Sequence, residues 1–99
     1  MTLKDALLKL EKSTHPVATI LANDEHLKVY SILFKSGMIM TDHKTSSNAI
    51  LYVLSGVVVY SDSEATVELN NFDEFHIKPG IVHSIIAKAN ASCLLIQSR

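Results

Sequence analysis

A chain of 99 residues is the length of one domain, and its 47% of hydrophobic residues is typical of a packed globular protein and too high for disorder. Nine basic and ten acidic side chains give a net charge of -1 without any run of Lys or Arg, which argues against nucleic acid as a partner. The apolar runs are far shorter than the roughly 20 residues that span a bilayer, so no membrane partner is expected.

The N-terminal segment predicts a short amphipathic helix within residues 1–14. Three leucines recur at the spacing of one helical face, with Ala6 beside them: Leu3, Leu7 and Leu10. Thr2 followed by Asp5 is typical of a capping box, and Pro16 disfavours helical geometry just before it. Because a helix this short is marginal in water by itself, we expect it to pack on the outside of the domain or on a partner subunit.

The single cysteine and the N-terminal residues together predict a cytoplasmic setting. Cys93 begins an apolar run, where a free thiol is most often a small buried hydrophobe. The first five residues carry charges and lack the apolar segment of a secretory signal. Both observations favour a reducing compartment.

From residue 17 onward the pattern changes to short strand-like runs separated by turn residues. The runs cover residues 17–22, 27–35, 38–43, 50–54, 57–61, 66–69, 74–77, 82–88 and 92–97. Eight or nine strands at this spacing, with no helical pattern between them, indicate a sandwich or barrel. We therefore predict one all-β domain over residues 1–99, with a β-barrel over residues 17–97.

Two histidines stand where the predicted strands meet turns. His43 and Thr45 share a face of their strand because side chains alternate along it. His83 begins the strand that follows the turn signal Pro79-Gly80. Although they are forty residues apart in the sequence, the two histidines could converge inside a barrel.

These residues resemble the two motifs of the cupin superfamily, and the resemblance covers residues 26–97. Three residues match the first motif: Gly37, His43 and Gly56. The second motif ends in Pro-x-Gly-x-x-His, which Gly80 and His83 match, and Asp73 matches the Asp that opens the preceding strand. The resemblance implies a small single-domain cupin: a cupin-like β-barrel (double-stranded β-helix or jelly roll) with a short N-terminal α-helix, usually a homodimer.

The match to the metal ligands of this family is incomplete. Metal-binding cupins use two His and one Glu of the first motif and the His of the second. His43 and His83 remain, but Thr45 stands in place of the other His and Ala49 in place of the Glu. Catalytic zinc usually keeps three protein ligands, and open iron sites use two His and a carboxylate. We therefore expect no tightly bound cofactor, and at most a weakly bound divalent transition metal on His43 and His83.

No other residue supplies an obvious further ligand. His76 shares a strand with Phe75 and Ile77, which should face inward, so His76 should face outward. Asp42 and Asp73 are poorly placed for similar reasons.

The predicted function is that of a small-molecule-binding protein whose pocket lies inside the barrel, with an incomplete metal site. The predicted pocket residues are His43, Thr45, Ala49, Leu51, Val53 and His83. One alternative is a metal-dependent cupin enzyme, an oxygenase or isomerase, that uses His43 and His83 with one further ligand. Another is an interaction protein with a vestigial pocket. An enzyme and a non-catalytic binding protein both fit the pattern, and no residue is assigned a catalytic role.

Overall fold

One helix and nine strands form the structure, a computed structural model that describes residues 1–99 except for the side chain of Asp42. The elements are α1 (Leu3–Lys12), β1 (Val17–Asn23), β2 (Leu27–Phe34), β3 (Ile39–His43), β4 (Ala49–Ser55), β5 (Val58–Ser61), β6 (Thr66–Leu69), β7 (Glu74–Ile77), β8 (His83–Ala87) and β9 (Ala91–Ser98). Each predicted strand corresponds to one observed strand, and no strand boundary differs by more than one residue. The prediction about the Asp42 side chain lies outside the described residues.

The strands form two antiparallel sheets. The larger sheet has the order β1-β2-β9-β4-β7, and the smaller has the order β3-β8-β5-β6. Strand β9 lies in the centre of the larger sheet, where it pairs with β2 on one side and with β4 on the other. Most strand neighbours are therefore distant in the chain, as in a jelly roll. The predicted all-β fold class is confirmed.

Alternation along the strands separates a buried interior from an outer face. In β4, Leu51 and Val53 are fully buried, whereas Tyr52 between them is half-buried on the outer side. One apolar cluster contains Phe34 and Leu51 from the larger sheet and Tyr60 from the smaller. The two sheets therefore enclose a common core.

Helix α1 begins with the predicted capping box and packs on the larger sheet. The Thr2 hydroxyl accepts a hydrogen bond from the Asp5 N–H, and the Asp5 carboxylate accepts one from the Thr2 N–H, each at 3.1 Å. The helix contacts β1 and β2 through Ala6, which is fully buried against Val17 and Leu33. Within the described part of the chain, no helix combines the length and the hydropathy needed to cross a bilayer.

The helix contacts the sheet through only part of its predicted apolar face. Leu3 and Leu7 are 47% and 56% exposed, and only Leu10 of the three leucines packs against the core. Ala6 makes the central contact because its single methyl group lets the helix backbone lie close to the sheet. The neighbouring leucines are thereby directed outward.

Two glycines in turns hold neighbouring segments together. Gly56 has φ +94°, and a Cβ atom there would lie 2.2 Å from the Asn90 carbonyl oxygen. This close approach packs the β4–β5 turn against the β8–β9 turn. Gly80 has φ +80°, and its N–H donates to the Thr45 carbonyl oxygen at 2.9 Å. That bond holds the turn before His83 beside the loop that contains Thr45.

Candidate ligand-binding site

Strands β3 and β8 place the two motif histidines side by side. The antiparallel register pairs His43 directly with His83. Directly opposed residues of such a pair share a face, with their Cβ atoms about 4.5–5.5 Å apart. Further along the two strands, Met40 stands opposite Ile85, and the register shifts between Met40 and His43 so that both residues line the same cavity. Strand pairing therefore brings together two side chains that the sequence separates by forty residues.

A cavity of about 250 Å³ lies at this end of the barrel. His43, Thr45 and His83 all contribute to its wall. Most of the remaining wall is apolar and comes from both sheets: Ala18, Tyr30, Ile32, Met40, Ile85 and Leu95. Lys44 and Gln97 complete it. The cavity is thus an apolar chamber with a few polar groups, which is the usual character of a small-molecule site.

The His83 ring is held in a defined orientation. The residue is 4% exposed, and its Nδ1 lies 3.2 Å from the Ile81 carbonyl oxygen. Because a carbonyl can only accept a hydrogen bond, Nδ1 is the nitrogen that carries the hydrogen. The ring also stacks on Tyr60, with centroids 5.4 Å apart and planes inclined by 27°. In this tautomer Nε2 carries no hydrogen, and its lone pair can accept a hydrogen bond.

The surroundings of His83 favour its neutral form. Burial lowers the pKa of the imidazole below its ordinary value of 6.5, and the nearby His43 acts in the same direction. The hydrogen bond to Ile81 and the Asp62 carboxylate raise the pKa, but they do not offset the burial. His83 is therefore uncharged at neutral pH and can accept a hydrogen bond at Nε2.

The Thr45 hydroxyl is the second polar group of interest. Thr45 is 5% exposed, and its Oγ1 has no hydrogen-bond partner among the described residues. Its carbonyl oxygen accepts the bond from Gly80, which holds the backbone at this position beside the turn before His83. A buried hydroxyl without a partner costs about 1–3 kcal/mol, which a ligand or water could recover.

The pair Tyr60 and Asp62 supports the site and was not predicted. The Tyr60 hydroxyl donates to the Asp62 carboxylate at 2.6 Å, and the N–H groups of Glu64 and Ala65 donate to the same carboxylate at 2.8 Å. These bonds lower the pKa of Asp62, and burial raises the pKa of Tyr60. Asp62 thereby fixes the ring on which His83 stacks. The signal was the two-residue alternation from Tyr60, which places Asp62 on the same face.

Three of the six predicted pocket residues lie elsewhere. All three are buried in the core, namely Ala49, Leu51 and Val53, and Ala49 also borders a groove on the outside of the barrel. Large side chains fill the core, where the ring centroids of Tyr60 and Phe75 are 4.3 Å apart. The cavity therefore lies toward β3 and β8, and these three predicted positions are not among the residues that line it.

His76 lies on the outer face of the larger sheet. It is exposed, pairs across the strands with Ile50, and has its Nε2 4.0 Å from a Glu74 carboxylate oxygen. It borders an outer groove of about 490 Å³ that also includes Ile50 and Ile96. This groove is larger than the inner cavity but contains neither His43 nor His83.

The donor set does not fit a tightly held metal ion of the kind that the cupin resemblance implies. Among the residues whose side chains are described, no three of His, Cys, Asp and Glu come together as a metal site. His43 and His83 supply two imidazoles, and Thr45 adds only a neutral hydroxyl. This is fewer donors than the three protein ligands of a catalytic zinc site, and no carboxylate offsets the charge of a dication.

The chain has the cupin fold. Its two antiparallel sheets form a double-stranded β-helix, and the histidines at the two motif positions meet in one cavity. Solved cupin structures match the chain over most of its length. The resemblance inferred from Gly37, His43, Gly56, Gly80 and His83 is thereby confirmed at the level of the fold.

Three solved structures illustrate the likeness. A cupin superfamily protein from Desulfitobacterium hafniense has a TM-score of 0.82 at 17% identity, over 94% of this chain and 85% of that one. A conserved protein of unknown function from Streptococcus pyogenes has a TM-score of 0.79 at 17% identity, over 89% and 77%. An RmlC-like cupin from Methanocaldococcus jannaschii has a TM-score of 0.77 at 14% identity, over 88% and 83%. No family model and no curated protein matches the sequence.

Proposed function

We propose that this protein binds a small, partly apolar molecule inside its barrel. The observation that carries the proposal is the meeting of His43, Thr45 and His83 on the wall of one largely apolar cavity. Apolar walls supply affinity through the burial of ligand surface, and a few placed polar groups supply orientation. The cavity volume of about 250 Å³ is below the roughly 300–1,000 Å³ of drug-sized pockets, which favours a compact ligand.

A fragment screen on the full chain tests this proposal. Compounds that bind the native state raise the melting temperature, and the same compounds should shift the amide signals of residues around the cavity. Ala18→Phe places a ring into the cavity from β1, so it should abolish both responses. Ala22→Phe, an exposed position on the same strand that does not line the cavity, should leave both responses unchanged.

Two results would contradict the proposal. The first is a screen in which no compound raises the melting temperature or shifts these signals. The second is a set of compounds whose effects survive Ala18→Phe, because they would then bind elsewhere. Either result would favour a vestigial pocket.

The cross-strand histidines favour one second candidate, a metal-dependent cupin enzyme. His43 and His83 share a face, and Nε2 of His83 has a free lone pair in the tautomer described above. Elemental analysis of the purified protein distinguishes the two candidates. Stoichiometric iron, nickel, manganese or zinc that is lost in His43→Ala would favour the enzyme over the binding protein.

We also propose a homodimer in a reducing, cytoplasmic compartment. Half-buried apolar side chains cover the outer face of the larger sheet: Val29, Ile50, Tyr52, Leu94 and Ile96. Surface of this composition is typical of subunit interfaces.

The unpaired Cys93 supports the proposed reducing compartment. It is buried in the core, which raises its pKa to about 12, and a free thiol of this kind is suited to a compartment that keeps thiols reduced.

A further inference from the structure

The hydrogen-bonding state of His83 specifies one property of a ligand. Nδ1 already donates to the Ile81 carbonyl oxygen, so Nε2 is the acceptor of the neutral ring. Ile81 is the only hydrogen-bond partner of this ring among the described residues. A ligand group that pairs with Nε2 must therefore be a hydrogen-bond donor.

The Thr45 hydroxyl specifies a second property. It lies on the same cavity wall, is 5% exposed, and has no partner within the described part of the chain. A hydroxyl can both donate and accept, so it is satisfied by a ligand oxygen that accepts from it. An exposed serine or threonine hydroxyl bonds to bulk water when no ligand is present, whereas this buried hydroxyl does not and therefore gains more from a ligand.

We infer that the cavity selects a compact, uncharged, apolar molecule that carries a hydroxyl group, as a phenol or a small alcohol does. This inference rests on the proposed function. A hydroxyl is the simplest group that donates to Nε2 of His83 and accepts from Thr45. The apolar remainder of the molecule would lie against Ile32, Ile85 and Leu95.

A carboxylate ligand fits the same wall less well. It has no proton to donate at neutral pH, so its oxygen lone pairs would face the lone pair of His83. Lys44 borders the cavity and is the cation that could attract an anion, but it is exposed. An exposed ammonium contributes little to an ion pair, because water screens it and its side chain must be ordered.

Three matched probes test the inference: p-cresol, toluene and p-toluate. They share one apolar body and differ only in carrying a hydroxyl, a hydrogen or a carboxylate. In NMR titrations of the full chain, p-cresol should bind about tenfold more tightly than toluene, as two modest hydrogen bonds predict. p-Toluate should bind more weakly than p-cresol, and the Nε2 nitrogen signal of His83 should shift with p-cresol only.

The chain offers a matched pair of variants for the same titrations. Thr45→Val keeps the shape of the wall and removes its hydroxyl, so the advantage of p-cresol over toluene should fall to about threefold. Thr19→Val is the control. Thr19 is 3% exposed and its Oγ1 also lacks a partner among the described residues, but it does not line the cavity.

The outcomes separate the ligand class from the proposed function. Equal binding of p-cresol and toluene, or tighter binding of p-toluate, overturns the inference and leaves a binding cavity in place. An equal effect of Thr45→Val and Thr19→Val also overturns it. If none of the three probes binds while other fragments bind in a manner blocked by Ala18→Phe, the ligand class is wrong and the proposed function stands. If no compound of either set binds, both fail.

Discussion

At position 56 the structure leaves no space for a side chain. Gly56→Ala would place a Cβ atom 2.2 Å from the Asn90 carbonyl oxygen, on a residue whose φ of +94° already disfavours any side chain. We expect it to lower the free energy of unfolding by about 2–5 kcal/mol, measured by urea denaturation. Gly80→Ala is the control: φ is +80° but nothing lies within 4 Å of a Cβ atom there, so the expected loss is about 1–2 kcal/mol. Equal losses in the two variants would show that the positive φ alone, and not the contact with Asn90, causes the destabilisation.

The buried imidazole of His83 predicts a stability that depends on pH. Because the folded state lowers the pKa of His83, the unfolded chain binds the proton more tightly. The stability contributed by the neutral ring is therefore complete well above the ordinary value of 6.5 and is lost as the pH falls from there toward the folded pKa. The urea midpoint of the wild type should therefore decrease as the pH is lowered from about 7.5 to about 5.

Two glutamine variants isolate this contribution. His83→Gln should remove most of the decrease in that pH range, because glutamine does not titrate. His26→Gln should retain the decrease, since the His26 side chain is 82% exposed. A decrease of the same size in His83→Gln would contradict the assignment to His83.

The sequence predicted individual site residues unevenly. His43 and His83 were predicted because a family motif fixes their spacing, and Thr45 was predicted by alternation from His43. Asp62 was missed because alternation places it on the same face as Tyr60 but does not show the hydrogen bond that it accepts from the Tyr60 hydroxyl. The same applies to the Ile81 carbonyl that sets the His83 tautomer.

Among the secondary structure elements, the strands were predicted most accurately. Their boundaries agree within one residue because turn residues such as Pro79-Gly80 interrupt the alternation wherever a strand ends. For α1 the predicted face includes Leu10 and Ala6, which do contact the sheet, but the leucine spacing does not show how closely the helix approaches it at Ala6. Leu51 and Val53 were assigned to the pocket because alternation shows that they face the interior, but it does not show whether they lie in the packed core or on a cavity wall.

The docking of α1 through a small residue leads to an element-scale prediction. Ala6 is fully buried against Val17 and Leu33, so Ala6→Leu would push the helix away from β1 and β2. We expect a loss of about 1–3 kcal/mol in the free energy of unfolding. Leu7→Ala, at a position 56% exposed, should change it by no more than about 0.5 kcal/mol. A larger effect of Leu7→Ala would indicate that the leucines are covered in solution.

At the scale of the whole molecule, the proposed homodimer predicts a solution mass of twice that of the chain. Analytical ultracentrifugation at micromolar concentration should show this mass for the wild type. Ile50→Lys introduces a charge into the apolar outer face of the larger sheet and should yield monomers, because an unpaired ammonium is costly to bury. Thr66→Lys, an exposed position on the smaller sheet, should leave the dimer intact. A monomeric wild type would contradict the proposal.

The central position of β9 has a consequence for how the molecule is assembled. Leu27 pairs with Ser98, so two strands from opposite parts of the chain must meet before the larger sheet becomes continuous. Until then β2 and β4 each present an unsatisfied edge of backbone donors and acceptors, which is the geometry that recruits strands from other molecules. Nascent or truncated chains that lack β9 are therefore expected to be the aggregation-prone species. Expression yield should depend on how quickly β9 pairs with β2 and β4.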